Sequence, residues 1–109
     1  MSEQELKRLI IGYLNLQGHF VWVNNSGLTR STYIDKFGRQ KERAWRAGVK
    51  GGSDILGIEK KTGRFLAIEV KVGKNKTTPQ QDLFLKEIES RGGVAIIAYS
   101  IQDVQEMGL

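Results

Sequence analysis

A chain of 109 residues with 39% hydrophobic and 27% charged content suits one globular domain, with a single hydrophobic core and no room for a second. It has no cysteine, which excludes a disulfide framework, a thiol nucleophile and a zinc–thiolate site, and fits a reducing cytoplasm. The net charge is +5, no apolar run approaches the roughly 20 residues that cross a bilayer, and the charged opening MSEQELKRLI has no signal-peptide core.

Glu3 to Gln17 places Leu6, Leu9, Ile10, Tyr13, Leu14 and Gln17 on one side of a 3.6-residue wheel. That predicts an amphipathic helix, with Ser2 as N-cap and Gly18 just past its end. His19 to Asn24 (HFVWVN) is aromatic and β-branched and predicts a strand, closed by the turn Asn25-Ser26-Gly27. His19, the single histidine, opens this apolar strand and is expected to be structural. Between Leu28 and Lys50 stand seven basic residues, Arg30, Lys36, Arg39, Lys41, Arg43, Arg46 and Lys50, against the two acids Asp35 and Glu42. The whole positive excess of the chain therefore lies in one stretch, the electrostatic footprint of a protein that meets phosphates. A solvated surface insertion would carry the same charges. Tyr33, Phe37 and Trp45 lie among them and can stack on bases or pack beneath the segment. Lys41 to Ala47 is open to a short helix or an irregular loop.

Ser53 to Glu59 and Arg64 to Val72 predict a β-hairpin. Thr78-Pro79 opens a second helix, as N-cap and first helical residue, and Gly92-Gly93 ends it. Val94 to Tyr99 (VAIIAY) is nearly all apolar, as expected of a central strand covered on both faces. Ser100 caps a short helix through Met107. The order is helix, strand, basic insertion, strand, strand, helix, strand, helix. It predicts an α/β fold, a mixed sheet with helices packed on it.

The hairpin looks built for burial yet carries Asp54, Glu69 and Lys71. Side chains alternate along a strand, so Glu69 and Lys71 share a face. A four-residue turn over Lys60 to Gly63 pairs Leu56 with Ala67 and Ile58 with Phe65, and sets Asp54 opposite Glu69; a one-residue slip would part the two acids. Carboxylates so close repel unless a cation lies between them or one takes a proton. Magnesium suits the pair, being a hard cation that takes one or two carboxylates plus waters and substrate phosphate. A metal there can activate water and polarise a phosphodiester, with Lys71 beside it to hold the water or steady charge on the phosphate. The spacing alone is also that of an edge hairpin with one charged, solvated face. Lys74 and Lys76, where the chain leaves this strand, can contact phosphates or belong to a solvated loop.

At these residues the sequence resembles a PD-(D/E)XK nuclease, and in particular the stand-alone VRR-NUC domains (virus-type replication-repair nucleases). The matching text is Gly48-Val49-Lys50-Gly51-Gly52-Ser53-Asp54-Ile55, then Phe65-Leu66-Ala67-Ile68-Glu69-Val70-Lys71, then Gln81 with Phe84-Leu85, then Gly92-Gly93. The first helix and "VWVNNSG" match as well, so nearly the whole chain is covered. One departure is Ser53, where the family usually has proline before the aspartate. The resemblance implies a restriction-endonuclease-like fold and metal ligation by Asp54, Glu69 and the Val70 carbonyl. It implies that Lys71 positions or activates the attacking water, and it matches Glu3 and Gln81 to a family glutamate and glutamine. Bland roles are open to both: Glu3 as a helix-dipole acid, Gln81 as half of a capping box with Thr78.

The expectation is a Mg²⁺-dependent endodeoxyribonuclease (Mn²⁺ as substitute) acting on branched DNA. Small stand-alone members of the family are associated with phage genomes and Holliday-junction resolution. Paired cuts across a four-way junction suit a homodimer. Arg30, Arg39, Arg43, Arg46 and Lys50, with Lys74 and Lys76, are the expected DNA contacts, and Tyr33 and Trp45 the expected stacking residues. A duplex- or flap-cutting relative and a non-catalytic DNA-binding module are the alternatives; the module would show no cleavage with any metal and unchanged DNA binding after Glu69→Ala.

Overall fold

The computed structural model describes residues 1–24, 28–46 and 52–109. The turn at 25–27, Lys50 and the Gly48-Val49-Lys50-Gly51 part of the motif lie outside the described residues. Helix α1 (Glu3–Leu16) starts where the Ser2 hydroxyl accepts a hydrogen bond from the Glu5 amide at 3.1 Å, and Glu3 and Glu5 suit the positive end of its dipole. Leu6, Ile10 and Leu14 form its buried stripe. Leu9, expected on that face, is about half exposed. It stands next to Ile10 in sequence and thus about 100° round the helix from it, on the rim of the stripe.

Four strands, β1 (Phe20–Val23), β4 (Ile55–Ile58), β5 (Phe65–Val70) and β6 (Val94–Ala98), form a sheet in the order β1-β4-β5-β6. The first three are antiparallel in turn, and β6 runs parallel to β5, the connection being helix α2 (Pro79–Ser90). Helices α1 and α3 (Ile101–Glu106) cover one face through Leu6, Ile10, Leu14, Ile55, Leu66 and Ile68. Helix α2 covers the other through Leu85 against Leu56 and Ala67. Gly57 is required where β1 crosses β4, since a Cβ there would lie 2.4 Å from the Phe20 carbonyl oxygen. The apolar VAIIAY strand is β6, at the edge of this sheet rather than its centre. Its neighbour β5 is the strand buried on both faces, because α2 packs across the pair and shields them together.

The basic stretch forms neither helix nor irregular loop. It is a hairpin of β2 (Leu28–Ile34) and β3 (Gln40–Arg46), paired with each other as a separate two-stranded sheet, with Ser31 opposite Arg43 and Tyr33 opposite Lys41. β2 is rich in β-branched and aromatic residues (Thr29, Thr32, Tyr33 and Ile34), and Lys41 and Arg43 alternate with Glu42 along β3, strand signals that charge counting hides.

Candidate active site

The turn over Lys60 to Gly63 has the expected length. The Glu59 amide donates to the Arg64 carbonyl at 2.8 Å, and Gly63 closes the turn at φ +73°. The register is consequently Ile55↔Ile68, Leu56↔Ala67 and Ile58↔Phe65. Continued one step, it sets Asp54 opposite Glu69 on the face that α2 covers. Asp54 lies just before β4, where its Oδ2 accepts a hydrogen bond from the Val70 amide at 2.8 Å. The N–H and C=O of a strand residue point to the same edge. The Val70 carbonyl therefore faces the Asp54 side as well, beyond the end of the β4–β5 ladder.

Glu69 is only 2% exposed. Its Oε1 accepts from Gln81 Nε2 at 3.0 Å and lies 3.6 Å from Lys71 Nζ. Its Oε2 is buried with no hydrogen-bond partner among the described residues. Burial pushes the Glu69 carboxyl up to about 8, helped by the charge of Asp54 nearby, while Lys71 pulls the other way.

Gln81 completes the capping box and also reaches Glu69. Its Oε1 accepts from the Thr78 amide at 2.9 Å, and its own amide donates to the Thr78 hydroxyl at 3.2 Å, completing the capping box of α2. With the oxygen held by the cap, the amide nitrogen is turned towards Glu69. The cap thus orients the Gln81 amide, which occupies Glu69 Oε1 and leaves Oε2 without a hydrogen-bond partner among the described residues.

Lys7 joins the site and was missed in the sequence. Its Nζ lies 3.4 Å from Asp54 Oδ1, with both side chains largely buried. The available signal was weak: Lys7 is one turn after Glu3, so a helix face that brings Glu3 to the site also brings Lys7. Glu3 itself takes no part in the hydrogen bonds and ion pairs of the site, and no cluster of three acidic or histidine side chains fit to hold a metal occurs among the described residues.

Lys74 and Lys76 are exposed on the loop between β5 and α2, which Tyr99 anchors through its hydroxyl on the Asn75 carbonyl at 2.8 Å. Arg39 and Arg43 are exposed on the β2–β3 hairpin, and the Arg43 guanidinium lies 5.2 Å from the centre of the Tyr33 ring. Arg30 pairs in register with Ala44, and Arg46 with Leu28. The side chains of Arg30, Trp45 and Arg46 lie outside what is described. Ser53, in the place of the usual proline, is buried, its hydroxyl without a hydrogen-bond partner among the described residues. His19 is buried away from this cluster, its Nδ1 accepting from the Lys60 amide at 3.2 Å.

Two carboxylates, a backbone carbonyl and a buried, unpartnered Oε2 fit a hard divalent ion that brings its own waters. They do not fit a closed protein cage of three or more acidic ligands. A mixed sheet whose inner strand sends Glu69 and Lys71 to one face, with Asp54 opposite them, is the frame of a nuclease domain of the PD-(D/E)XK-like type. The VRR-NUC domain model matches residues 1–102 of the 109, and the chain belongs to that family. A search of curated proteins gave no match. A nuclease domain implies DNA as substrate, and no helix among the described residues is long and apolar enough to cross a membrane.

Proposed function

We propose that the chain is a Mg²⁺-dependent endodeoxyribonuclease that cuts branched DNA, four-way junctions foremost, as a homodimer. The observation that carries the metal-dependent chemistry is the Asp54–Glu69 pair on one face, with Glu69 Oε2 buried and without a hydrogen-bond partner among the described residues, and with burial and the neighbouring Asp54 holding the Glu69 carboxyl up. A divalent cation relieves that conflict and, when bound, supplies Lewis-acid activation of water and of the scissile phosphate. Asp54, Glu69 and the Val70 carbonyl hold it. Gln81 keeps Glu69 turned to the site through Oε1. Lys71 Nζ, close to the same oxygen, is in reach of a water or a non-bridging phosphate oxygen and donates hydrogen bonds to either. The basic hairpin and the Lys74–Lys76 loop bind phosphates without reading sequence.

A second copy is supported by an uncovered apolar row on the α2 side of the sheet. Phe20, Trp22, Ile58 and Phe65 are all exposed there, with ring centres 5.4 Å apart for Phe20–Trp22 and 6.5 Å for Trp22–Phe65. This row lies on and beside β1, an edge of the four-stranded sheet. An aromatic patch at a sheet edge suits a self-complementary twofold contact.

The test is cleavage of labelled four-way junctions, flaps and intact duplex with Mg²⁺, Mn²⁺ or EDTA. Paired symmetric nicks at the junction are expected, absent in EDTA and reduced by about 100-fold or more in Glu69→Ala and Lys71→Ala. Metal-dependent cutting of duplex or flaps alone would refute the junction preference. Junction binding with no cleavage under any metal, unchanged in Glu69→Ala, would refute the enzyme.

A further inference from the structure

We infer that Phe37, at the tip of the β2–β3 hairpin, is a wedge that stacks on a base where the DNA helix is interrupted, held in place by phosphate contacts from Lys36, Arg39, Lys41 and Arg43. The inference rests on the DNA-cleaving reading and names how such a substrate is recognised.

The hairpin has the form of an arm. Among the described residues its strands pair only with each other, and seven strand residues span about 24 Å. The molecule measures 58 Å along its longest axis against 32 Å and 27 Å across. A two-stranded ribbon by itself is marginal in water, yet this one carries a turn held by several bonds at its far end. Asp35 Oδ1 accepts from the amides of both Phe37 and Arg39 at 2.9 Å, and Asp35 Oδ2 pairs with Arg39 Nε at 3.1 Å. The Asp35 amide donates to the Arg39 carbonyl, the Gly38 amide donates to the Asp35 carbonyl, and Gly38 takes φ +75° to close the loop. One aspartate thus spends both oxygens fixing the two residues on either side of the glycine.

The ring carried on this fixed turn is 69% exposed. Lys36 Nζ lies 5.2 Å and the Arg39 guanidinium 5.1 Å from its centre, so two cations attend one apolar ring. A lone exposed phenylalanine is unremarkable. A rigid one flanked by cations at the end of a basic arm matches the chemistry of an aromatic stacked on a base between two phosphates. Farther down the same arm, Tyr33 lies opposite Lys41 with Arg43 near its ring, and continues the basic surface towards the strand bases. An unstacked base is the partner the tip suits, because a continuous duplex must first be opened to admit the ring. A branch point has already lost that stacking.

The experiment measures binding of the full chain in EDTA to a four-way junction and to intact duplex of the same sequences. 2-Aminopurine is placed at the branch and at the equivalent duplex position, and cleavage of both DNAs is assayed separately with Mg²⁺. The wild type is expected to prefer the junction and to change the fluorescence at the branch. Phe37→Ala should cut that preference on the order of 10-fold and abolish the fluorescence change, and Phe37→Trp should keep both. Equal preference in wild type and Phe37→Ala, or a fluorescence change that survives the substitution, overturns the wedge. So does a shift in oligomeric state on Phe37→Ala, which would make the tip a contact between chains. Wild-type cleavage with no effect of Phe37 removes the wedge and leaves the nuclease. A Phe37-dependent preference without cleavage removes the nuclease and leaves the wedge.

Discussion

Replacing Glu69 with glutamine should make the metal-free protein more stable while removing a ligand of the proposed metal site. Free in an unfolded chain, the Glu69 carboxyl titrates near its ordinary value of 4.5; in the fold it is pushed up to about 8 by burial and by Asp54. Between those values the folded state holds a proton that the unfolded state has released. Stability is therefore full below about pH 4.5 and falls as pH rises towards 8. From this group alone the loss by pH 7 is about 3 kcal/mol, a large part of the 5–15 kcal/mol typical of a whole domain. Glutamine does not titrate, keeps an oxygen for Gln81 Nε2 and presents an amide to Asp54 in place of the proton. Urea unfolding in EDTA at pH 5, 6, 7 and 8 should thus show wild type losing about 3 kcal/mol relative to Glu69→Gln between pH 5 and 7. Added Mg²⁺ should restore wild type at pH 8 and leave the variant unchanged. Parallel pH curves for the two proteins would refute the buried, proton-holding carboxylate and with it the metal-site electrostatics.

In the proposed metal-bound state Lys7 would compete with the cation for Asp54, so Lys7→Met should tighten Mg²⁺ binding by roughly fivefold, the equivalent of about 1 kcal/mol; calorimetric titration of the metal reads this, and an unchanged Kd would show that the ammonium yields without cost. Gln81→Ala should lower stability by about 1 kcal/mol through the cap and also reduce cleavage. Gln81→Glu, still a capping-box residue, should keep the thermal midpoint close to wild type and still lose activity, because it sets a third carboxyl against Glu69; equal losses of both would reduce Gln81 to a cap. Ser53→Ala should raise stability by about 1 kcal/mol by removing a buried hydroxyl with no partner among the described residues, and denaturant unfolding showing a loss would reveal an acceptor outside them.

Local chemistry was legible along the chain. Ser2, Thr78 with Pro79 and Ser100 start their three helices as capping rules require. The polar Lys60–Gly63 turn set the β4–β5 register, and with alternation that register brought Asp54, Glu69 and Lys71 together. These outcomes depend on neighbours within a few residues or on one turn length, and such terms are written in the sequence itself.

What depended on distant segments was not. Lys7 and Asp54 are 47 positions apart, and only the packing of α1 against the sheet brings an ammonium to that carboxylate. The same packing leaves Leu9 on the rim, and the cover of α2 makes β5 the inner strand and β6 the edge, although VAIIAY is the more uniformly apolar of the two. Gln81 could be read as a cap or as a site residue, and only the approach of α2 to Glu69 let one amide serve both. The sequence by itself determined which residues begin and end elements and which carboxylates share a face, since these are local. The tertiary structure alone decided which of them are dry, which lysine faces which acid, and that a run of positive charge stands out as a hairpin arm, since burial and charge pairing exist only between segments already brought together.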